Sequence, residues 1–101
     1  MDTEEAYVSC EINGERKRFD IELADLCSIG RSDHNRIILS DPLTSRDHAM
    51  IRRDTNGRCY LADTGSSNGT TLNGRPVTVP TLLSDGDTIL IGHHRLTFHQ
   101  P

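Results

Sequence analysis

Short runs of alternating apolar and polar residues recur along this chain, and helical periodicity is almost absent. No window of about a dozen residues keeps the apolar positions i, i+3, i+4 and i+7 of an amphipathic helix. Phe19, Ile21 and Leu23 alternate with charged residues, which predicts a half-buried strand. Near the end, the runs 88–91 and 96–98 are typical of a hairpin. The pattern therefore predicts many short strands.

Asn-Gly pairs stand between several of these runs. One of them, Asn56-Gly57, separates the runs 49–52 and 58–63, and Asn-Gly in that position is the strongest short-range signal for a hairpin. Asn13-Gly14 and Asn73-Gly74 repeat the device. Short strands at regular spacing with turn residues between them indicate an all-β sandwich or barrel.

The length of 101 residues accommodates one domain. No apolar run approaches the roughly 20 residues that a membrane span needs. The acidic start, Met1 to Glu5, lacks the apolar segment of a signal peptide. We therefore expect a protein of the cytoplasm, or of the nucleus in a eukaryote, without direct membrane insertion. Because strand-like sequence reaches close to both ends, we also expect a domain cut from a longer protein.

The three cysteines, Cys10, Cys27 and Cys59, lie far apart in strand-like segments. None belongs to a CxxC pair of the kind that zinc sites and redox motifs use. We expect buried, reduced thiols that pack as small hydrophobic side chains.

Three stretches are richer in polar groups than simple turns require: 30–35, 40–48 and 63–70. They combine arginines, hydroxyls and an Asn side chain with glycines that let a ligand approach the backbone closely. Arginine forms charge-assisted hydrogen bonds, and hydroxyl or amide donors fix orientation. This set of groups suits an anionic ligand with several acceptor oxygens.

Four ordered motifs in and after these stretches resemble the forkhead-associated (FHA) domain family. They are Gly30-Arg31, Ser45-Arg46-Asp47-His48, Ser66-Ser67-Asn68-Gly69-Thr70 and Asn73-Gly74. The resemblance extends over about 7–98 and implies a single FHA domain within 1–101. It implies an all-β fold, a two-sheet β-sandwich of about eleven short, mostly antiparallel strands. It also implies that loops at one end bind phosphothreonine peptides.

The resemblance further implies the role of each residue. Arg31 and Ser45 would contact the phosphate oxygens, and Arg46 would add charge beside them. Asn68 would hydrogen-bond the peptide main chain, and Ser67 would contribute to the phosphothreonine pocket. The implied partner is a protein or peptide that a Ser/Thr kinase has phosphorylated on threonine, bound without a cofactor by a domain that is monomeric in isolation.

Further motif residues are implied to support the site rather than touch the ligand. His48 would tie the binding loops together by hydrogen bonds. Gly30, Gly69 and the Asn73-Gly74 turn would serve backbone geometry.

Whether the three polar stretches meet does not follow from their spacing. In an up-and-down meander, the second and third stretches would share one end of the sheet and the first would lie at the other. The segment between the first two stretches, 36–39, spans only about 13 Å as a strand. It can therefore cross over to the other stretches instead of running a full strand to the opposite end.

Other functions have weaker support. Ser45 and His48 are close enough in sequence to suggest a nucleophile and a base, but the chain has no GxSxG elbow and no phosphate-cradling GxxxxGK[ST] loop. Nucleic-acid binding is disfavoured by a net charge of −4 and an aromatic content of 4%. His93-His94 invites a metal site, but neighbours on a strand point to opposite faces. A phosphate-independent interaction or oligomerisation module remains the alternative.

Overall fold

Eleven short strands form two facing sheets in a computed structural model that describes residues 5–101. The strands are β1 (Tyr7–Ile12), β2 (Glu15–Asp20), β3 (Leu26–Gly30), β4 (Ile37–Ile38), β5 (Ala49–Arg53), β6 (Cys59–Asp63), β7 (Thr70–Leu72), β8 (Arg75–Pro76), β9 (Thr81–Leu82), β10 (Thr88–Ile91) and β11 (His94–His99). One sheet has the order β2-β1-β11-β10-β7-β8 and the other β4-β3-β5-β6-β9. The predicted all-β, two-sheet fold is confirmed.

The hairpins expected at the Asn-Gly pairs are present. Asn13 (φ 53°) and Gly14 (φ 80°) connect β1 to β2, and Asn73 (φ 51°) and Gly74 (φ 85°) connect β7 to β8. Two consecutive residues with positive φ define the type I′ turn, whose twist matches that of the strands it joins. The closing hairpin, β10 with β11, also forms as predicted.

One parallel pairing places all three polar loops at the same end of the sandwich. β4 runs parallel to β3, with Ile29 opposite Ile37 and Gly30 opposite Ile38. After β3 the chain therefore loops back along the sheet edge and travels toward the same end a second time. The loops before and after β4 consequently meet, and the loop after β6 joins them because β6 is antiparallel to β5.

The core lies between the sheets and is built from alternate residues of the strands. Its fully enclosed members include Val8, Ile29, Ile51, Leu61, Ile89, Leu96 and Phe98. The three cysteines pack there as expected, and burial raises the pKa of the Cys27 and Cys59 thiols to about 11. A thiol with so high a pKa stays protonated and unreactive near neutral pH.

One predicted strand is shorter than its pattern suggests. The alternation of Phe19, Ile21 and Leu23 predicts a strand over all three positions, but β2 ends at Asp20 and Leu23 is 42% exposed. The chain turns away after the buried Ile21, and Ala24 adopts a positive φ of 59°. The alternation at Leu23 is therefore not a strand signal. Across residues 5–101, no helix of the length and hydropathy needed to cross a membrane is found.

Candidate functional site

The three polar loops are joined to one another by hydrogen bonds at one end of the sandwich. We call residues 31–36, 39–48 and 64–69 the loop cluster. The first two segments are joined by main-chain hydrogen bonds from Arg31 N to Ser45 O (2.9 Å) and from Ser32 N to Arg46 O (3.2 Å). The third joins them through Thr64, whose amide donates to the carbonyl of His48 over 3.0 Å. The fold thus assembles a composite surface from distant parts of the sequence.

Arg31 is an exposed cation with one fixed nitrogen. Its Nε donates to the carbonyl of Thr44 over 3.0 Å, which holds the guanidinium plane against the second loop. Among the described residues, its two terminal nitrogens have no hydrogen-bond partner. A guanidinium held in this way presents its remaining N–H groups as a fork to a doubly charged oxyanion.

Ser45 lies beside Arg31 and faces the third loop. Its Oγ accepts a hydrogen bond from the amide of Ser67 over 3.0 Å. Because this bond uses a lone pair, the hydroxyl proton of Ser45 stays available to donate. The Ser67 side chain is on the exposed surface next to it.

Asn68 is exposed and adjoins a small apolar recess. Its Nδ2 donates to the carbonyl of Leu43 over 3.0 Å, so the amide oxygen and a second N–H remain available to a ligand. The recess has a volume of about 240 Å³ and is lined by Leu43, Asn68, Gly69, Thr71, Leu90 and Gly92. An amide with both a donor and an acceptor beside apolar side chains can bind a peptide main chain and one neighbouring side chain.

His48 is fully buried beneath the loop cluster and bonds to two of its loops. Its Nδ1 accepts from the amide of Ser45 over 3.0 Å, and its Nε2 lies 2.8 Å from the carbonyl oxygen of Gly69. A carbonyl can only accept, so Nε2 carries the proton and the ring is the neutral Nε2–H tautomer. His48 thereby connects the second and third loops without reaching the surface.

Gly30 stands where the first loop leaves β3, pressed against the second loop. A Cβ at this position would collide with the carbonyl oxygen of Arg46 and lie 2.7 Å from Nδ2 of Asn35. Asn35 is itself buried and donates to the carbonyls of Ser32 and Arg46 over 3.0 and 2.7 Å. The missing side chain of Gly30 therefore allows the contact through which Asn35 pins the two loops.

Asp63 organises the third loop as an acceptor at its base. Burial would raise its pKa, but hydrogen bonds from the Ser66 hydroxyl and amide, the Thr70 hydroxyl and the Gly65 amide together lower the pKa to about 2. These donors lie 2.6 to 2.8 Å from the carboxylate oxygens. The Ser66 hydroxyl in turn accepts from the amide of Gly69 over 2.9 Å, so one carboxylate shapes the whole turn.

Asp41 joins the loop cluster to the β10–β11 hairpin of the other sheet. Its carboxylate is almost completely buried and accepts from the amide of His93 (2.7 Å), the amide of Leu43 (2.8 Å) and Nδ1 of His94 (3.2 Å). The hydrogen bond from the His93 amide lowers the pKa of this carboxyl to about 2, together with the hydrogen bonds from the Leu43 amide and from His94 Nδ1. Burial has the opposite effect on the pKa. The side chain of the adjacent Thr44 is equally buried there, packed against Gly92.

The two neighbouring histidines do not point to opposite faces, contrary to the sequence-based argument. His93 belongs to the turn before β11 begins at His94, so both imidazoles reach Asp41, with His93 Nδ1 at 3.4 Å. In the part of the chain that the structure describes, no group of three or more His, Cys, Asp or Glu side chains could hold a metal ion.

Most of the residues selected from the sequence meet at this end, but two do not. Arg46 is exposed in the second loop, and Gly69 occupies the third with a positive φ of 86°. Asn73 and Gly74 lie at the far end of β7, where Asn73 bonds to Asp87 and Thr88. That turn therefore does not contact the loop cluster that it was expected to support.

Sequence reasoning did not select the acidic residues that organise the loops. Asp41 precedes Pro42, and Asp63 precedes Gly65 by two positions. Both spacings are typical of turns in which an Asp side chain caps the main chain two residues on. Such a pattern predicts a turn, but it does not reveal that Asp41 also bonds to a hairpin 52 residues away.

Comparison with known proteins agrees with this architecture. The sequence profile of the FHA domain matches residues 27–92. The chain is 40% identical over 81 residues to the glycogen accumulation regulator GarA of Mycobacterium tuberculosis, an alignment that covers 80% of this chain and 48% of GarA. The chain thus spans about half the length of the curated relatives it matches.

Two solved structures extend the similarity to the fold. An FHA domain studied for phosphothreonine-dependent interactions has a TM-score of 0.85 at 31% identity, covering 96% of this chain and 97% of that one. Mycobacterium tuberculosis EmbR in complex with a low-affinity phosphopeptide has a TM-score of 0.81 at 32% identity, covering 95% of this chain and 24% of EmbR. With the profile match over more than half of its length, the chain belongs to the FHA domain family.

Proposed function

We propose that this domain binds protein partners phosphorylated on threonine by a Ser/Thr kinase, and that Arg31, Ser45, Arg46, Ser67 and Asn68 form the binding surface. One observation carries the proposal: guanidinium N–H groups of Arg31 and the hydroxyl proton of Ser45, which have no partner among residues 5–101, lie in adjoining, mutually bonded loops. Phosphothreonine supplies three acceptor oxygens and close to two negative charges at neutral pH.

The rest of the surface fits a peptide on either side of the phosphate. Arg46 adds a second exposed positive charge, and the Ser67 hydroxyl adds a donor. Asn68 can bond one peptide unit of the main chain, and the recess beside it favours an aliphatic side chain between Leu43 and Leu90. The similarity to EmbR, which was solved with a phosphopeptide, and to an FHA domain with phosphothreonine-dependent interactions supports the same ligand.

The contacts of His48, the base that the sequence suggests for Ser45, support binding without catalysis. A nucleophilic serine needs a base within hydrogen-bond reach of its hydroxyl. Both ring nitrogens of His48 are occupied by main-chain groups, the Ser45 amide and the Gly69 carbonyl, and neither meets the Ser45 hydroxyl. We therefore propose that the domain recognises the phosphorylated partner and does not turn it over.

The experiment is a pair of titrations, with a phosphothreonine peptide library and with its unphosphorylated counterpart. We expect binding only of the phosphorylated form. We also expect Arg31→Ala to weaken it by about 10- to 150-fold, the value of a charge-assisted hydrogen bond of about 1.5–3 kcal/mol. Arg58→Ala is the matched control, because Arg58 lies in the β5–β6 turn at the opposite end. Equal binding of both libraries, or equal affinity of Arg31→Ala and wild type, would contradict the proposal.

A second candidate function is phosphate-independent docking on the outer face of the five-stranded sheet. The register aligns Leu26, Arg52, Tyr60 and Leu82 in one row across this face. Leu26 and Leu82 are 54% and 51% exposed, so this row presents two large apolar side chains to solvent. A partner whose binding survives phosphatase treatment would favour this second function over the first.

A further inference from the structure

A basic cleft lies on the outer face of the six-stranded sheet, outside the loop cluster. It has a volume of about 470 Å³ and is lined by Glu11, Arg16, His93, His94, Arg95 and Thr97. The arginines come from β2 and β11, which flank β1 in the sheet. In a chain of net charge −4, this local excess of positive groups is unusual.

Among residues 5–101, the side chains of the two arginines of the cleft have no ion-pair partner. Neither the Arg16 nor the Arg95 guanidinium forms a hydrogen bond or an ion pair there, whereas the neighbouring Arg18 bonds to Asp20 and Glu5. Glu11 is the cross-strand partner of Arg16, yet the two do not come within ion-pair distance. Their guanidinium groups are thus free to bind carboxylates or phosphates from outside.

Strand register connects this cleft to the recess beside Asn68. Thr71 pairs with Leu90, and Leu90 pairs with Arg95. Because Ile89 and Leu96 are buried, Leu90 and Arg95 both point outward, with Cβ atoms about 5 Å apart. The recess and the cleft are therefore adjacent, because Leu90 of the recess and Arg95 of the cleft lie opposite each other on paired strands.

The distance suits a continuous peptide. Two strand spacings separate Thr71 from Arg95, about 10 Å, and an extended chain covers this in about three residues. A ligand held by Asn68 beside Thr71, with an aliphatic side chain at Leu90, would therefore place a residue about three positions further along its chain at Arg95. Arg16 is two more strand spacings away, so it would meet a residue about six positions along.

We propose that this cleft binds acidic residues of the phosphorylated partner, on the flank of the phosphothreonine that passes Asn68 and Leu90. This inference rests on the proposed function and adds a second region of recognition to it. The occupant is an acidic segment of the same polypeptide, because the cleft offers unpaired arginines and continues the peptide surface. Acidic flanks would then raise affinity beyond that of the phosphate contacts alone.

The test compares three phosphothreonine peptides by fluorescence anisotropy. One has neutral flanks, the second has a Glu triplet before the phosphothreonine, and the third has a Glu triplet after it. We expect one acid-flanked peptide to bind about 3- to 10-fold more tightly than the neutral one, the range for two exposed ion pairs, and the gain to shrink with added salt. The variant Arg16→Gln/Arg95→Gln should lose this gain while binding the neutral peptide unchanged. Glu11→Gln should increase the gain.

Controls separate the possible outcomes. Arg58→Gln/Arg75→Gln changes the net charge equally and lies outside the cleft, so it should keep the gain. If neither acidic flank improves binding, or if the gain persists in Arg16→Gln/Arg95→Gln, the inference is wrong although the phosphothreonine site stands. If the neutral phosphopeptide itself fails to bind, the proposed function fails first.

Discussion

At the residue scale, a few side chains inside the protein serve the loops rather than the core. His48 is the clearest case, because it is fully buried yet both of its ring nitrogens bond to loop main chain. Gly30 acts through the absence of a side chain, which lets the carbonyl of Arg46 and the amide of Asn35 approach. We expect changes at such residues to affect the proposed binding through loop position, without removing a ligand contact.

Replacing Gly30 by Ala should therefore both destabilise the domain and weaken phosphopeptide binding. The new methyl group collides with backbone, which cannot move aside as a flexible side chain can. We expect a loss of about 1–3 kcal/mol in the free energy of unfolding, measured by urea titration, and weaker binding by calorimetry. Gly14→Ala is the control: its φ of 80° costs about 1 kcal/mol, but nothing lies within 4 Å of the added carbon and the turn is remote from the loops. Equal affinity in the two variants would contradict a positioning role for Gly30.

At the scale of elements, the loop cluster depends on connections between loops more than on regular structure. The third loop has no strand pairing of its own from Thr64 to Gly69, and Asp63 satisfies its amides and hydroxyls instead. A loop of this kind is ordered only as long as its acceptor stays ionised and in place.

Asp63→Asn should accordingly loosen the third loop. An Asn amide group has one oxygen in place of two, and its NH₂ would face the hydroxyls that now donate to the carboxylate. We expect a loss of about 1–3 kcal/mol in unfolding free energy and faster hydrogen exchange at the Gly65 and Ser66 amides, together with weaker phosphopeptide binding. Asp54→Asn is the counterpart at the opposite end, where Asp54 accepts from the amides of Asn56 and Arg58. It should cost stability without changing affinity, so a matching drop in affinity there would argue against a local effect.

At the scale of the whole molecule, two buried or partly buried carboxylates link the halves of the sandwich to the loops. Asp41 joins the loop cluster to the hairpin of the six-stranded sheet, and Asp63 joins β6 of the other sheet to the start of β7. Because both are held ionised by donors that the unfolded chain lacks, the stability of the fold is coupled to pH.

The stability they contribute should be lost in acid, between about pH 4 and pH 2. Each folded-state pKa, about 2, lies below the ordinary value of 3.8. The contribution is therefore complete above pH 4 and disappears as the pH falls through 2. We expect the two carboxylates together to contribute about 1–3 kcal/mol after screening by solvent, measured by urea unfolding at pH 6, 4, 3 and 2. The double variant Asp41→Asn/Asp63→Asn should show a flatter pH profile over this range, and an unchanged profile would exclude these carboxylates as its source.

The sequence by itself determined the local features of this protein. Alternation and Asn-Gly pairs act over a few residues, so they predict strands and hairpins without reference to the rest of the chain. Their limit shows at Leu23, where the alternation continues although β2 has ended at Asp20 and the chain turns, with a positive φ at Ala24. The alternation pattern does not show where the chain changes direction, because it contains only information on which side chains are apolar.

Only the tertiary structure decided which loops meet. The parallel pairing of β4 with β3 brings the first loop to the others, and no periodicity in a two-residue strand could predict it. The same holds for Asp41, whose partner hairpin is far along the chain, and for the Asn73-Gly74 turn, which falls at the opposite end. Contacts between distant segments depend on how the sheets stack and on which strand edges pair, and these are properties of the folded chain as a whole.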